Sequence, residues 1–375
     1  MKAAPPPPIA MLAELTHRCP LACPYCSNPL ELARQETELS TEDWANAFRQ
    51  AAALGVLQVH LSGGEPASRR DLVELVSSAR EAELYTNLIT SGVGLNEKRL
   101  KALDEAGLDH IQLSLQGTDA GMADEIGGYR GGFERKMQVA LWISDVGFPL
   151  TLNVVLHRRN LHQLPRAIEM AVEMGARRIE VATVQFHGWA LMNRDALMPT
   201  RDQAKEATRI VQEAKAHFKG VLVIDYVPAD YHEDYPKRCM GGWGTTGLNI
   251  TPEGLVLPCH AAQTISHLTF DNVKETSLPA IWNESSAFNM YRGEIWMQEP
   301  CKSCERRTVD FGGCRCQAMA LVGDASATDP VCTKSPHHAM LRERAEAFAG
   351  NDDAALTYRL GPEKTRNDTV ADPAG

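Results

Sequence analysis

Apolar runs alternate with amphipathic stretches along the first two hundred residues. Residues 9–15, 56–61, 84–90, 110–115, 150–156 and 178–184 are apolar along much of their length, as strands buried in a parallel sheet should be. Between them, hydrophobic positions recur at helical spacing over 41–54, 69–82, 97–106, 133–146 and 161–174. Ser40 stands where the first of these helices needs an N-cap, with Glu42 in its first turn. Gly107, Gly147 and Gly175 fall just past helix ends, where a left-handed residue is favoured. About six strand–helix units in succession predict an α/β fold, a parallel sheet curled into a partial (β/α)6, TIM-like barrel. This unit is expected over residues 1–200.

The pattern then changes. Residues 202–219 read as one more helix and 221–227 as one more strand, a bridge spanning 201–233. From 234 to 345 glycine, proline and cysteine are frequent and periodicity is lost. Such a segment is expected to bury little apolar surface and to depend on bound metal for its shape. Residues LNITPEGLVLPC read as a hairpin turning at Pro252-Glu253-Gly254. The tail, 346–375, is polar and expected to be loose from Gly350 onward.

With 38 basic against 48 acidic side chains, the formal net charge of -10 argues against nucleic acid as the main partner. No apolar run approaches the ~18 residues of a membrane span. The prolines of MKAAPPPPIAML interrupt any signal-peptide core, so a cytoplasmic location is expected. In that reducing compartment, cysteines point to metal rather than to disulfides. There are ten, and they are grouped: Cys19, Cys23 and Cys26, then none until Cys239, Cys259, Cys301, Cys304, Cys314, Cys316 and Cys332.

Cys19-Pro-Leu-Ala-Cys23-Pro-Tyr-Cys26 follows the first strand, at the barrel face where ligands and catalysis gather. Three thiolates at this spacing suit three irons of a [4Fe-4S] cube and leave the fourth open. Structural zinc with a distant fourth ligand is the other reading. Here the chain resembles the radical S-adenosylmethionine (SAM) superfamily, whose signature is CxxxCxxC with an aromatic before the last cysteine, in this chain Tyr25. The resemblance implies that SAM chelates the open iron and is cleaved to a 5′-deoxyadenosyl radical. It also implies that Gly63, Gly64 and Glu65 of the GGEP turn meet the SAM amine. Ser114 and Gln116 would address its ribose or carboxylate, Arg130 would pair with its carboxylate, and Asn153 would contact the nucleoside.

The later cysteines form C-x14-G-x4-C from Cys239 through Gly254 to Cys259, then Cys301-x2-Cys304-x5-Asp310-x3-Cys314, with Cys316 and Cys332 beyond. This resembles the SPASM extension of radical SAM enzymes, which houses two auxiliary iron–sulfur clusters. Asp310 stands where that pattern has a cysteine. The resemblance implies Cys301, Cys304, Asp310 and Cys332 around the second auxiliary cluster, [4Fe-4S] by family. The first would take Cys239, Cys259, Cys314 and Cys316 and be either [2Fe-2S] or [4Fe-4S]. A carboxylate is a harder ligand than a thiolate and should alter the reduction potential.

SPASM enzymes include sulfatase maturases, thioether synthases and the enzymes that cross-link the peptide PqqA in pyrroloquinoline quinone (PQQ) biosynthesis. Asp310, Cys314-Arg-Cys316 and the run QFHGWALMNRDALMP at 185–199 resemble the last group most. That resemblance implies a carbon–carbon bond between a glutamate and a tyrosine side chain of PqqA, with an auxiliary cluster as electron acceptor. His187 and Asp310 are candidate proton acceptors, and Trp189, Trp243 and Trp282 candidate walls of a peptide groove. The chain starts almost at its first strand, so no N-terminal winged-helix module is expected. This fits a separate peptide chaperone, PqqD, and a separate electron donor such as flavodoxin. The two other enzyme types share the same cysteines, and a non-catalytic zinc or electron-transfer protein is the reading from outside catalysis.

Overall fold

In the computed structural model, which describes residues 5–351 and 354–361, strands and helices alternate closely along the predicted lines. β1 (Ala10–Thr16), α1 (Thr41–Leu54), β2 (Gln58–Gly63), α2 (Leu72–Glu81), β3 (Tyr85–Thr90), α3 (Glu97–Glu105) and β4 (His110–Leu115) come first. α4 (Ala120–Gly127) and α5 (Gly132–Val146) lead to β5 (Leu150–Leu156), and α6 (Leu164–Glu173) leads to β6 (Arg178–Thr183). The short helices α7 (Gly188–Met192) and α8 (Arg194–Leu197) precede α9 (Arg201–His217) and β7 (Val223–Val227). The hydrophobic pattern does not announce α4, α7 or α8, because they are shorter than the window of about 11 residues over which a helical period becomes legible. At α1, Ser40 and Asp43 exchange side-chain-to-backbone hydrogen bonds in a capping box.

β1 to β7 lie parallel and in chain order within one sheet. Two expectations need correction. β7 is not part of a bridge: it pairs with β6 from Arg178↔Val223 to Ala182↔Val227 and so extends the barrel sheet past six units. The predicted hairpin exists as β8 (Gly247–Ile250) and β9 (Val256–Leu257), yet β8 also pairs in parallel with β1, from Ala10↔Gly247 to Ala13↔Ile250. It thereby satisfies a backbone edge that would otherwise stand open.

The strands alternate more than their apolar appearance suggests. In β4, Ile111, Leu113 and Leu115 are buried, while His110, Gln112 and Ser114 are half-buried on the other face. The apolar face of the sheet, with Met11, Ala13, Leu15, Leu61, Leu113, Leu152 and Val181, packs under Trp44, Phe48, Leu75 and Ile143 of the helices. Burial of each such side chain contributes roughly 1.5–3 kcal/mol. Glu14, Ser62, Ser114 and Asn153 therefore look away from that core.

The region after Asp230 buries more than expected. It contains α10 (Leu278–Glu284), α11 (Ser286–Asn289), α12 (Arg307–Asp310), α13 (Arg315–Val322) and α14 (His338–Ala349). Leu278, Ile281, Trp282 and Phe288 join the main core, and Trp243, Leu257, Ile265 and Tyr291 build a second one. Irregularly spaced aromatics fill these cores without producing a sequence period. The tail is corrected as well. α14 runs through the expected boundary at 346, and Arg359 is buried. The tail residues 352–353 and 362–375 lie outside the described residues. No helix among the described residues is long and apolar enough to cross a membrane.

Leu61 is fully buried between β2 and the helices. Leu61→Ala is expected to cost about 2–5 kcal/mol, read as a lower urea midpoint with an unchanged slope.

Candidate cofactor and metal site

The turn that ends β1 passes directly into the loop carrying Cys19, Cys23 and Cys26. Backbone bonds hold it: Gly64 N–H donates to Thr16 O (2.6 Å), Glu65 N–H to Arg18 O (2.7 Å), Ala22 N–H to Gly127 O (2.8 Å) and Ala190 N–H to Cys26 O (3.1 Å). Two glycines make this approach possible. Gly63 has φ +120, and a Cβ there would lie 2.3 Å from Thr16 O. Gly188 has φ +52, and a Cβ there would lie 2.0 Å from Asn28 O. The side chain of Asn193 donates to Pro24 O at 3.0 Å and to Trp189 O at 2.9 Å. The run 185–199 thus folds into α7 and α8 against the cysteine loop.

The three thiols line a cavity of about 300 Å³. Its wall also takes in Tyr25, Gly63, Gly64, Ser114, Gln116 and Asn153, so most of the residues proposed for one small ligand converge. Such a volume is at the lower end for small-molecule sites. Tyr25 accepts from Gln116 Nε2 at 2.9 Å, and Lys136 Nζ donates to Gln116 Oε1. Lys136 is 1% exposed, and burial holds its pKa down at about 8 against the pull of the nearby thiolate positions. Burial likewise pushes the Cys19 thiol up to about 12, the Cys26 thiol up to about 11 and Cys23 upward. Alone, these thiols would stay protonated. A bound cation reverses that balance, which is the chemistry of a metal-ligand set.

Two of the expected residues are placed elsewhere. Arg130 is exposed in the connection between α4 and α5 and does not line the cavity. The pattern pointed to a cation after β4, but the buried one is Lys136, which sits on a helical face that sequence reads as core. Glu65 is 0% exposed and is engaged by protein donors. Ala67 N–H (3.0 Å) and Thr90 Oγ1–H (2.7 Å) donate to one oxygen, and Ser91 N–H (2.6 Å) and Oγ–H to the other. It locks the GGEP turn to the end of β3 and leaves backbone, not its carboxylate, at the cavity.

The later cysteines form two groups. Cys239, Cys259, Cys314 and Cys316 are close enough for their thiols to interact, which pulls Cys259 and Cys314 down and pushes Cys239 and Cys316 up. His187 interacts with Cys314, and His260 with Cys259. Burial opposes a charged His260, but the interaction with Cys259 prevails and lifts it to about 9. The rings of His187 and His260 are 6.4 Å apart, and buried His187 Nδ1 and His260 Nε2 have no hydrogen-bond partner among the described residues. The second group is Cys301, Cys304, Asp310 and Cys332, which line one small space with Thr328 and Lys334. Asp310 is buried and accepts from Arg306 Nε (3.2 Å) and Gly312 N–H (3.1 Å). Lys334 Nζ donates to Cys304 Sγ at 3.4 Å. Between the groups, Arg315 donates to the carbonyls of Gly312, Ala325 and Ala327, and Asp329 accepts from Cys314 N–H at 2.7 Å. Arg315 is the arginine of Cys314-Arg-Cys316, whereas Asp329 carries no sequence signal.

Among the described residues, no group of three His, Cys, Asp or Glu side chains closes tightly enough for a single bare ion. Sets of three and four thiols are of the kind that hold iron–sulfur clusters. Trp189, Trp243 and Trp282 are 2%, 4% and 1% exposed. They are core residues rather than the walls of a groove, because Trp243 and Trp282 spend their N–H groups on Ala287 O and Pro6 O.

Residues 13–171 match the family described as the radical SAM superfamily, and residues 239–305 match an iron–sulfur cluster-binding domain, SPASM. The chain is 64% identical over 353 residues to a PqqA peptide cyclase of Rhizobium meliloti (strain 1021), covering 94% of each. It is 64% identical over 360 residues to one of Ruegeria pomeroyi, covering 96% of each. Its fold is similar to Streptococcus suis SuiB bound to S-adenosylmethionine (TM-score 0.73, 21% identity, 87% of this chain and 77% of that one). It is also similar to anSMEcpe with bound AdoMet (TM-score 0.61, 14% identity, 92% and 93%).

Glu65→Ala would strand four buried donors. It is expected to cost roughly 1–3 kcal/mol or more in urea unfolding, whereas exposed Arg130→Ala should stay within about 0.5 kcal/mol.

Proposed function

The chain belongs to the radical SAM superfamily and, within it, to the PqqA peptide cyclase family, and from that membership we propose that it joins a glutamate and a tyrosine side chain of PqqA by a carbon–carbon bond. It is a radical SAM enzyme with an iron–sulfur-binding SPASM region. The observation that carries the finer reading is the 64% identity over nearly the whole chain to PqqA peptide cyclases; the convergence of three thiols with Tyr25, Gln116, Ser114 and Asn153 on one cavity supports the radical SAM chemistry it needs.

In this reading Cys19, Cys23 and Cys26 hold the catalytic [4Fe-4S] cluster. Gly63 and Gly64 offer backbone to the SAM amine, Ser114 and Asn153 face its polar groups, and the Tyr25–Gln116–Lys136 chain presents a buried cation. Bound there, cluster and SAM would supply a 5′-deoxyadenosyl radical able to take a hydrogen atom from an unactivated carbon. That radical must be kept from bulk water and meet one C–H bond only.

Forming the bond removes two hydrogens from the peptide. One leaves as an atom to the adenosyl carbon. The other leaves as a proton and an electron when the tyrosine ring regains aromaticity. The auxiliary groups are the electron's destination: Cys239, Cys259, Cys314 and Cys316 for one cluster, Cys301, Cys304, Asp310 and Cys332 for the other. The first is [2Fe-2S] or [4Fe-4S], and the second [4Fe-4S]. For the proton, His187 is favoured over Asp310. Its Nδ1 is buried without a hydrogen-bond partner among the described residues, while Asp310 already accepts from Arg306 and Gly312. PqqD presents the peptide, and a flavodoxin-type donor reduces the catalytic cluster.

Incubation with SAM, reductant, PqqA and PqqD should give a peptide lighter by two hydrogens, with tandem mass spectra that place the link between glutamate and tyrosine. Unchanged PqqA with uncleaved SAM would sink the assignment. Asp310→Ala is expected to change the spectra or potential of one auxiliary cluster and to leave most SAM cleavage intact. Identical auxiliary signals would exclude Asp310 as a ligand.

A further inference from the structure

The last described segment reaches back across the molecule onto the cysteine loop. Arg159 Nη2 donates to Ala354 O at 2.8 Å. Asn193 accepts from Thr357 N–H at 2.7 Å and donates to Thr357 O at 2.8 Å, with the same amide that holds Pro24 O. Two residues on, Arg359 N–H donates to Ala22 O at 2.9 Å. Its guanidinium donates to Leu21 O at 2.9 Å, Cys19 O at 3.2 Å and His17 O at 3.4 Å.

Arg359 is 5% exposed, although it lies fewer than twenty residues from the end of the chain. A buried guanidinium is costly unless its donors are used. The carbonyls use them, but they carry no net charge. The positive charge is therefore left to act on its surroundings, and those are the thiols. Arg359 shares a cavity wall with Cys19, Cys23 and Cys26. It lines the inner cavity, and together with Cys19 it also lines an open cleft on the other side. One side chain thus both clamps the loop and stands beside the cluster position.

We propose that Arg359, delivered from the opposite end of the chain, is a positioning residue for the catalytic cluster: it fixes the carbonyl face of the 19–22 loop and supplies the charge that favours the electron-rich, reduced cluster. This rests on the reading of Cys19, Cys23 and Cys26 as cluster ligands. A cation beside an anionic cluster stabilises the added electron, so removing it must make reduction harder. The auxiliary groups should not change, because the guanidinium bonds only the 17–21 backbone and does not line the space of Cys301, Cys304, Asp310 and Cys332.

The test compares full-length wild type, Arg359→Gln and Arg359→Lys, reconstituted anaerobically. Iron and sulfide are counted, and each cluster is followed by EPR during a redox titration. For Arg359→Gln the catalytic midpoint should move negative, so that the reduced-to-oxidised ratio at a fixed potential falls about tenfold. The auxiliary midpoints should hold, and Arg359→Lys should recover most of the shift. A fully loaded Arg359→Gln with an unmoved catalytic midpoint overturns the proposal, as does a lysine variant displaced as far as the glutamine one. If Arg359→Gln loads no catalytic cluster, Arg359→Lys decides: a loaded cluster near the wild-type midpoint supports the role, and a second empty site overturns it. Wild type without iron and sulfide at the first three cysteines would overturn the ligand reading itself and this proposal with it.

Discussion

Everything at this site depends on the hold exerted on one loop. Burial pushes each of the three thiols between Cys19 and Cys26 toward its neutral form, so they serve a cluster only where the backbone holds them together on one ligand. The fixing comes from four directions. The GGEP turn meets Thr16 and Arg18, the end of α4 meets Ala22, α7 and Asn193 meet Cys26 and Pro24, and Arg359 meets Cys19 and Leu21. Each contact is a hydrogen bond to loop backbone, so none competes with the sulfurs. The loop is preorganised by elements scattered along the chain, the contact from Arg359 to Cys19 alone spanning 340 residues of sequence.

The same economy joins the two halves of the molecule. β8 completes an edge of β1, so the strand that launches the catalytic loop is also the strand that anchors the cysteine-rich region. His187, just past β6 in the barrel, interacts with Cys314 in that region, and His260 answers it from beside Cys259. An electron leaving the barrel would meet the first auxiliary group across this contact, and a proton would meet an imidazole with a nitrogen unpartnered among the described residues.

Much of this was legible from local pattern. The strands of the barrel appear within one to two residues of their predicted ends, since buried strands and amphipathic helices each write their own period over enough residues to be read. The offset that puts Asp310 in a cysteine's place also survives: the structure sets Asp310 and the three thiols around one space. Where local pattern misled, a long-range partner had decided. Glu65 reads as a free acceptor until Thr90 and Ser91 of the next strand's end claim it. Three tryptophans read as groove walls until their neighbours bury them. Residues 354–361 read as loose because they are polar, yet their polar groups are spent on Arg159, Asn193 and the cysteine loop.

Sequence by itself determined how the cysteines are grouped, because their spacing is carried by the covalent chain, and it determined the barrel, because strand and helix periods are local. Only the tertiary structure decided which charges stand at the cavity. Arg130 lies a few residues from the place where a cation is wanted, but the turn after α4 leaves it in water. Arg359 arrives there instead, from near the far end of the chain, and Lys136, inside a helix, stands behind the wall on Gln116. Nothing in their immediate neighbours marks them, because the forces that bury a charge are the carbonyls and amides that only the folded backbone brings within reach.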